Sequence, residues 1–291
     1  MDFFLQQFAN GAVIGSTYAV VSIGFALAFT VLRVVNFAHP DIFMIGMFAG
    51  MVAATAWPGG GFWFAMLVGA VAAAAVGYLL ERAILSPLRK RDILMSLIAT
   101  LGVSIAVQNG MALIVGPDPL PYPALVPARF IDFGPLFLTQ RQLVNFAICI
   151  ALLAAVSLYV RKTPYGRATR AIAERPDVAG AFGIDVARVC QVTVMLASAM
   201  GGIAAVSIGS LYGSASAFVG GIFGLKAFIC MLVAGNRYFE GVMLVGLLIG
   251  VLEAMVTGYI SSSYRDAAAF GVLIAVLYFR PNGLFGSYEA R

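Results

Sequence analysis

The sequence predicts an all-α protein that crosses a lipid bilayer several times, and its composition, apolar runs and glycine usage support that fold class. Of 291 residues, 62% are hydrophobic and 11% are charged, whereas soluble domains carry about 25% charged residues. The 32 glycines lie inside apolar stretches as well as in turns, as in helices that pack closely in lipid. We therefore treat the bilayer as the solvent of this chain.

The uncharged runs mark the predicted spans, since a helix needs about 20 apolar residues to cross the hydrocarbon core. Six spans are predicted at 3–32, at two parts of 42–80 that Trp57-Pro58-Gly59-Gly60-Gly61 divides, at 93–115, at 142–160 and near 190–209. Three weaker segments follow near 224–235, 240–260 and 266–279. The fold is thus expected to contain 8–9 transmembrane or re-entrant helices, with eight spans if 224–235 is re-entrant.

The basic residues predict the orientation of the spans, because Lys and Arg near span ends stay on the cytoplasmic side. They concentrate in the loops 81–92 and 161–188, whereas the proline-rich loop 116–140 has few. We expect the N-terminus outside and the C-terminus in the cytoplasm, and no nucleic-acid surface despite the net charge of +5. No loop is long enough for a core of its own, so residues 1–291 are predicted to be one membrane domain that includes the cytoplasmic loop 161–189.

Motifs for catalysis are missing from the sequence. A phosphate-binding loop, GxxxxGK[ST], brings a lysine to the nucleotide phosphates, and none of Lys90, Lys162 and Lys226 has that context. His39 is the only histidine, and the sequence has no GxSxG nucleophile turn. We expect no catalytic residue, no metal site and no cofactor, and we assign any ATP chemistry to a partner.

Two polar interruptions are candidates for a solute pathway. The first is Asn36-Phe37-Ala38-His39-Pro40-Asp41, where broken backbone at membrane depth is typical of a cavity lining; the alternative is a cytoplasmic turn with Asp41 at the positive end of the next helix. The second is Tyr212-Gly213-Ser214 in a glycine-rich stretch, whose hydroxyls and open backbone favour contact with a solute. Its alternative is a close-packing seam of small residues at every fourth position.

Glu253 is the one acid deep in a predicted span, and a charge at a helix centre costs about 2.5–3.5 kcal/mol on insertion scales. The side chain is therefore expected to face protein or water, and we include it among the candidate pathway residues. A hydrogen bond to a neighbouring helix explains it, and proton coupling is the alternative. The sequence predicts no second carboxylate or histidine nearby.

The loop after the fifth span predicts a stiff helical elbow. A short helix over Arg167–Glu174 is followed by Pro176, which favours the first position of a helix, and Gly183 is a left-handed stop signal. One face is small and apolar and the other is charged, as expected of an element that seats in a groove of another protein. The alternative is a loop that lies on anionic lipid. The apolar face is predicted from Ala168, Ala171, Ile172, Val178 and Phe182.

These residues also carry a family resemblance that extends along essentially the whole chain. The sequence resembles the LivH-type permeases of high-affinity branched-chain amino-acid ABC importers. The matching runs are Asn36-Phe37-Ala38-His39, Gly166-Arg167-Ala168, Arg170-Ala171-Ile172-Ala173-Glu174, Gly183-Ile184-Asp185, Gly224-Leu225-Lys226-Ala227-Phe228, Tyr264-Arg265-Asp266 and Phe279-Arg280-Pro281-Asn282-Gly283-Leu284-Phe285-Gly286.

The resemblance implies the ABC importer permease fold and four kinds of partner: a second homologous permease, two cytoplasmic ATPase subunits, a periplasmic solute-binding protein and membrane lipid. It implies a bacterial inner-membrane location, in which the orientation expected from the basic loops places the N-terminus in the periplasm. The elbow resembles the family's ATPase-coupling element, and the sequence departs from the family at Pro40-Asp41 and at 236–240. The implied coupling residues are Gly166, Arg167, Arg170, Ala171, Ala173, Glu174 and Gly183.

The expected function is that of a permease subunit, not an enzyme, that imports a branched-chain or other neutral hydrophobic amino acid. Urea or a short amide is the alternative solute, because related permeases carry them. A self-sufficient secondary transporter or channel is the alternative of another class, and it requires paired ionisable groups at mid-membrane. A membrane-embedded enzyme is a further alternative.

Overall fold

The computed structural model describes residues 2–89, 91–132, 134, 136–235 and 239–286, and its architecture is almost entirely helical. The helices are α1 (Asp2–Leu32), α2 (His39–Ala56), α3 (Gly61–Leu80), α4 (Ser86–Leu88), α5 (Ile93–Val115), α6 (Gln140–Lys162), α7 (Pro164–Glu174), α8 (Pro176–Ala181), α9 (Val186–Tyr212), α10 (Val219–Ala234), α11 (Phe239–Tyr259) and α12 (Arg265–Phe279). Short 3-10 turns occupy Pro58–Gly60 and Ser262–Tyr264.

Seven helices in the described ranges are long and apolar enough to cross a bilayer. They are α1, α2, the helix Pro58–Leu88, α5, α6, α9 and α11. Two further apolar helices, α10 and α12, have 16 and 15 residues and rise only about 24 and 22 Å, less than the roughly 30 Å of the hydrocarbon core. The prediction of an all-α polytopic membrane protein is confirmed.

The helix that begins with α3 extends further than the sequence predicted. After α3 it continues through a π-helical turn, Glu81–Leu85, into α4, although we predicted that the cytoplasmic loop 81–92 would begin at its charges. The carboxylate of Glu81 is fully buried and is paired with Arg89. Because a cationic partner offsets part of the cost of burying this carboxylate, Glu81 does not have to mark the start of a solvated loop.

Four very short strands lie in the loops. β1 (Leu120–Pro121) pairs antiparallel with β4 (Ser214–Ala215), with Leu120 opposite Ala215. β2 (Phe130–Asp132) pairs antiparallel with β3 (Phe137–Thr139), with Phe130 opposite Thr139. The first pair connects the proline-rich loop to the glycine-rich stretch that follows α9.

One compact unit consists of Met1–Ala26, Val126–Leu153 and Leu225–Arg291. Within it, α1 and α11 approach so closely that side chains have no room at the contact. A Cβ atom added to Gly11 would lie 2.6 Å from Val251 Cα, and one added to Gly246 would lie 2.6 Å from Ala19 Cα. This is the small-residue packing expected between helices in lipid.

The residues after α12 in this unit return to the end of α10. The amides of Leu284 and Phe285 donate to the carbonyls of Val233 and Ala234 at 2.8 and 2.9 Å. Carbonyls in the last turn of a helix have no partner within the helix, so these bonds cap α10. The run 279–286, which carries part of the family resemblance, therefore has a structural role.

The other compact unit consists of Leu27–Leu125 and Ala154–Gly224. Its centre is built from α2, α3 and α9, which also meet at glycines. A Cβ atom added to Gly46 would lie 2.6 Å from Gly202 Cα, and one added to Gly202 would lie 2.7 Å from Ala73 Cβ. All of the candidate site residues before Leu225 lie in this unit.

Candidate functional site

Residues 163–185 form the predicted elbow. The side chain of Thr163 accepts the amide of Gly166 at 3.0 Å and caps α7, so this helix begins three residues before the predicted Arg167. Pro176 is the first residue of α8, as predicted, and Gly183 has φ +82°. A positive φ is unstrained for glycine alone among common residues, which explains why the elbow turns there.

The elbow is fixed to the start of α9. Ile172 of α7, Ala179 of α8 and Val189 of α9 form one buried cluster. At the other end of α7, a Cβ atom added to Gly166 would lie 2.6 Å from the carbonyl oxygen of Val160. Because both ends are packed in this way, the elbow is held as a stiff body rather than as a mobile loop.

The predicted apolar face of the elbow is in fact divided between two surfaces. Ala168, Ala171 and Ile172 face the buried cluster, whereas Val178 and Phe182 are 44% and 84% exposed. The prediction of a single apolar face was wrong, because the helix break at Arg175 turns α8 relative to α7. The implied coupling residues Arg167, Arg170 and Glu174 are all exposed, and Ala173 is half-buried.

The first pathway candidate is a buried turn between α1 and α2. The side-chain oxygen of Asn36 accepts the amide of Ala38 at 3.1 Å, and α2 begins at His39. The backbone is thus the turn that one alternative predicted, with Asp41 in the first helical turn. Asn36, His39 and Asp41 are nevertheless 1%, 3% and 1% exposed, which is unusual for a plain surface turn.

A polar stripe on α5 completes this turn. Ser96, Thr100 and Ser104 are spaced by four residues and are the buried residues of α5. One turn further on, Gln108 Nε2 donates to Asp41 Oδ1 at 2.8 Å and to Ser104 Oγ at 3.1 Å. We call Asn36, His39, Asp41, Ser104 and Gln108 the polar junction.

The start of α10 also meets the polar junction. A Cβ atom added to Gly220 would lie 2.5 Å from the carbonyl oxygen of Pro40 and 3.2 Å from Asp41 Oδ1. Beside the junction is a half-open pocket of about 230 Å³, where the surrounding side chains are aliphatic apart from Asp41. Ile42, Val76 and Val103 are among those that line it. Asp41 is the one charged residue among those that line this space.

The second pathway candidate lies where α9 ends. Gly213 has φ +67°, and its carbonyl accepts the amide of Tyr122 at 2.9 Å. Tyr212 is 51% exposed, and Ser214 belongs to β4. The ring of Tyr122 fills the space beside Gly209, so the packing alternative holds at that glycine; burial raises the pKa of Tyr122, and its phenol stays a protonated donor.

Residues 213–220 connect the two pathway candidates. The hydroxyl of Tyr122 donates to the carbonyl of Met47 in α2 at 3.4 Å, whereas Gly220 lies at Pro40. The chain therefore runs back along α2 over seven residues, about 10 Å of helix, and only its last two residues, Val219 and Gly220, are helical, as the start of α10. Irregular backbone at membrane depth is tolerated where protein buries it or water fills a cavity.

Glu253 belongs to the other unit, where it lies at the centre of a charge cluster. Its side chain is fully buried and is paired with Lys226; Arg265 Nε donates to Oε2 at 2.7 Å and Tyr18 to the same oxygen at 2.8 Å. Lys226 also contacts Asp266 at 2.7 Å. The expectation that no second carboxylate lies nearby was wrong, because Asp266 of α12 and Lys226 of α10 reach this site only through the tertiary fold.

The predicted pathway residues thus belong to three groups: the polar junction and the end of α9 in one unit, and the charge cluster in the other. Sequence reasoning missed Ser104, Gln108, Lys226 and Arg265 as site residues. Ser104 and Gln108 could have been found from the polar side chains at every fourth position of an apolar run. Lys226 could have been found as a single cation in an apolar helix. The residues described by the structure contain no group of three metal-ligating side chains.

Comparisons with known proteins agree with this architecture. A family model described as branched-chain amino acid transport system, permease component, matches residues 7–277. The chain is 32% identical to the high-affinity branched-chain amino acid transport system permease protein LivH of Salmonella typhimurium and to LivH of Escherichia coli. In each case the match covers 99% of this chain and 97% of the relative. It is 34% identical to the permease protein BraD of Pseudomonas aeruginosa, over 98% of this chain and 97% of that one.

Proposed function

The chain belongs to the family of branched-chain amino acid transport permease components, and on that premise we propose that it is the membrane permease subunit of an ABC importer for branched-chain or other neutral hydrophobic amino acids. It is a multi-pass membrane protein, and we place it in the bacterial inner membrane. A second homologous permease completes the path, two cytoplasmic ATPase subunits drive it, and a periplasmic binding protein delivers the solute.

The elbow is the single observation that best supports this proposal. It is packed against α9, and it exposes both the apolar residues Phe182 and Val178 and the charged residues Arg167, Arg170 and Glu174. Exposed apolar side chains with a polar rim are typical of a protein docking surface. A stiff element of this kind converts movement of a docked ATPase into movement of α9 rather than into local bending.

The polar junction is where we propose that the solute contacts this subunit. A branched-chain amino acid is a zwitterion that carries an aliphatic side chain, an ammonium group and a carboxylate. The aliphatic pocket next to the junction suits the side chain, and the carboxylate of Asp41 suits the ammonium, since hydrogen bonds to charged groups contribute about 1.5–3 kcal/mol. Residues 213–218 follow the same face of α2 and extend the path.

Co-purification from the native membrane, followed by reconstitution into liposomes, tests the proposed function. We expect ATPase subunits and a second permease to accompany the chain, and labelled leucine to accumulate only when ATP and the binding protein are supplied. Accumulation of labelled urea instead of leucine would assign the alternative solute. Accumulation of any solute by the isolated chain would overturn the proposal in favour of a secondary transporter.

A further inference from the structure

Arg33 is held in an unusual backbone conformation at the end of α1. Its φ is +55°, and within the described ranges it is the only residue other than glycine with a positive φ. The amide of Arg33 donates to the carbonyl of Phe29 at 2.7 Å, so the residue takes the left-handed position that usually follows a helix and is usually a glycine. A long side chain at such a position indicates that the side chain itself has a role.

The side chain of Arg33 reaches the end of α7 in the elbow. Its Nη2 donates to the carbonyl of Ala173 at 2.8 Å and to the carbonyl of Glu174 at 2.7 Å. These carbonyls lie in the last turn, where acceptors have no partner within the helix and the helix dipole is negative. A guanidinium is suited to this position by its charge and by its several donors.

Arg33 is also close in sequence to the polar junction. Asn36, whose side chain orders the turn that begins α2, lies three positions after it. On the far side of that turn, the amide of Phe37 donates to Thr100 of α5 at 3.4 Å. One residue therefore connects the end of α7 to the turn that carries His39 and Asp41.

We propose that Arg33 is a positioning residue that transmits movement of the elbow to the polar junction. This inference rests on the proposed function, in which the elbow docks on an ATPase. When the ATPase moves the elbow, Arg33 carries the end of α7 and the 34–41 turn together. The direct packing of the elbow on α9 is a parallel route, and the experiment has to distinguish the two.

Hydrogen–deuterium exchange of the assembled complex, measured with and without ATP, makes that distinction without any solute. In the wild type, ATP is expected to change exchange in residues 34–41 and in α7. In Arg33→Gln, the change in 34–41 is expected to fall about fivefold, a size typical of residues that carry coupling between sites, while the change at the start of α9 persists. An unaltered change in 34–41 would overturn the proposal.

Two further variants separate the side chain from the backbone. Arg33→Gly relieves the left-handed backbone but removes the cap, and it is expected to behave like Arg33→Gln. Arg33→Lys keeps a cationic donor and is expected to restore most of the response. If Arg33→Gly behaves as the wild type, the backbone turn rather than the cap is what matters, and the proposal is wrong. Arg91→Gln, which removes another exposed arginine, serves as the control for charge alone.

Transport measurements distinguish a failure of this inference from a failure of the proposed function. Leucine accumulated per ATP hydrolysed is expected to fall about fivefold in Arg33→Gln, with co-purification of the ATPase unchanged. A wild-type complex that hydrolyses ATP but moves no leucine contradicts the proposed solute and leaves the exchange result to decide on Arg33. A variant with normal leucine per ATP contradicts the role of Arg33 alone.

Discussion

Lys226 of α10 and Glu253 of α11 form an ion pair whose side chains are 7% and 0% exposed. Burial of two charges is costly, and only good geometry and further hydrogen bonds offset the lost hydration. Further hydrogen bonds are present here, because Arg265 and Tyr18 also donate to Glu253. The pair therefore joins α10, a helix too short to cross the bilayer by itself, to α1, α11 and α12.

Removing one partner from this pair is expected to destabilise the protein strongly. Lys226→Met removes the ammonium group that is paired with the buried carboxylate of Glu253. Breaking a buried pair in this way costs about 3–5 kcal/mol of folding stability. The measurement is thermal unfolding of the purified chain in detergent. Adding Glu253→Gln to Lys226→Met is expected to recover part of the loss. The control is Arg188→Met, which breaks an exposed pair with Asp185 at 3.8 Å and is expected to cost less than about 1 kcal/mol.

Two adjacent glycines of α9 are expected to respond in opposite directions to the same substitution. Gly202→Ala places a methyl group 2.7 Å from Ala73 Cβ, and overpacking of this kind costs about 1–3 kcal/mol. Gly201→Ala meets no atom within 4 Å and is expected to stabilise the helix by roughly 0.5–1 kcal/mol. Unfolding in detergent measures both, and equal effects would contradict the close contact at Gly202.

Phe182 is expected to carry much of the affinity for the ATPase. It is 84% exposed, so Phe182→Ser should leave the fold intact, whereas loss of an aromatic anchor at an interface costs about 2 kcal/mol or more, roughly thirtyfold in affinity. Binding of the purified ATPase to the permease in nanodiscs measures this. Phe130→Ser, at a residue 78% exposed in β2, is the control, and equal losses for both variants would argue against docking at the elbow.

The carboxylate of Asp41 is expected to govern uptake. Asp41→Asn keeps the size of the side chain and a carbonyl acceptor for Gln108, but it loses the charge that we assign to the solute ammonium. A loss of about 1.5 kcal/mol, roughly tenfold in leucine uptake at low concentration, is expected, with little change in unfolding temperature. Asp118→Asn, in an exposed loop, is the control. Normal uptake by Asp41→Asn would remove Asp41 from the pathway.

The sequence was most informative where local chemistry determines structure. Pro176 and Gly183 act through their own backbone preferences, so the elbow could be predicted from order and spacing alone. The apolar runs likewise predicted the long spans, because their length is set by the bilayer. The end of the span at Glu81 was misplaced, since its neutralising partner Arg89 lies eight residues further along.

Contacts between residues that are far apart in the chain could not be predicted from the sequence. Gln108 and Asp41 are 67 positions apart, and Lys226 and Glu253 are 27 apart. A stripe of polar residues on α5 predicts that something polar faces it, but it does not identify the partner. The same holds for Arg33, whose side chain meets residues 140 and 141 positions away.

The contact between Gly46 and Gly202 fixes the register of α2 and α9. A slide by one residue would bring the side chain of Ile45 or Met47 into a gap that admits only backbone. Tightly packed elements of this kind switch between discrete arrangements rather than deforming gradually. During a transport cycle, α2 and α9 should therefore keep this register at Gly46 and Gly202, and changes of backbone torsion angle are left to the non-helical stretches 33–38 and 213–218.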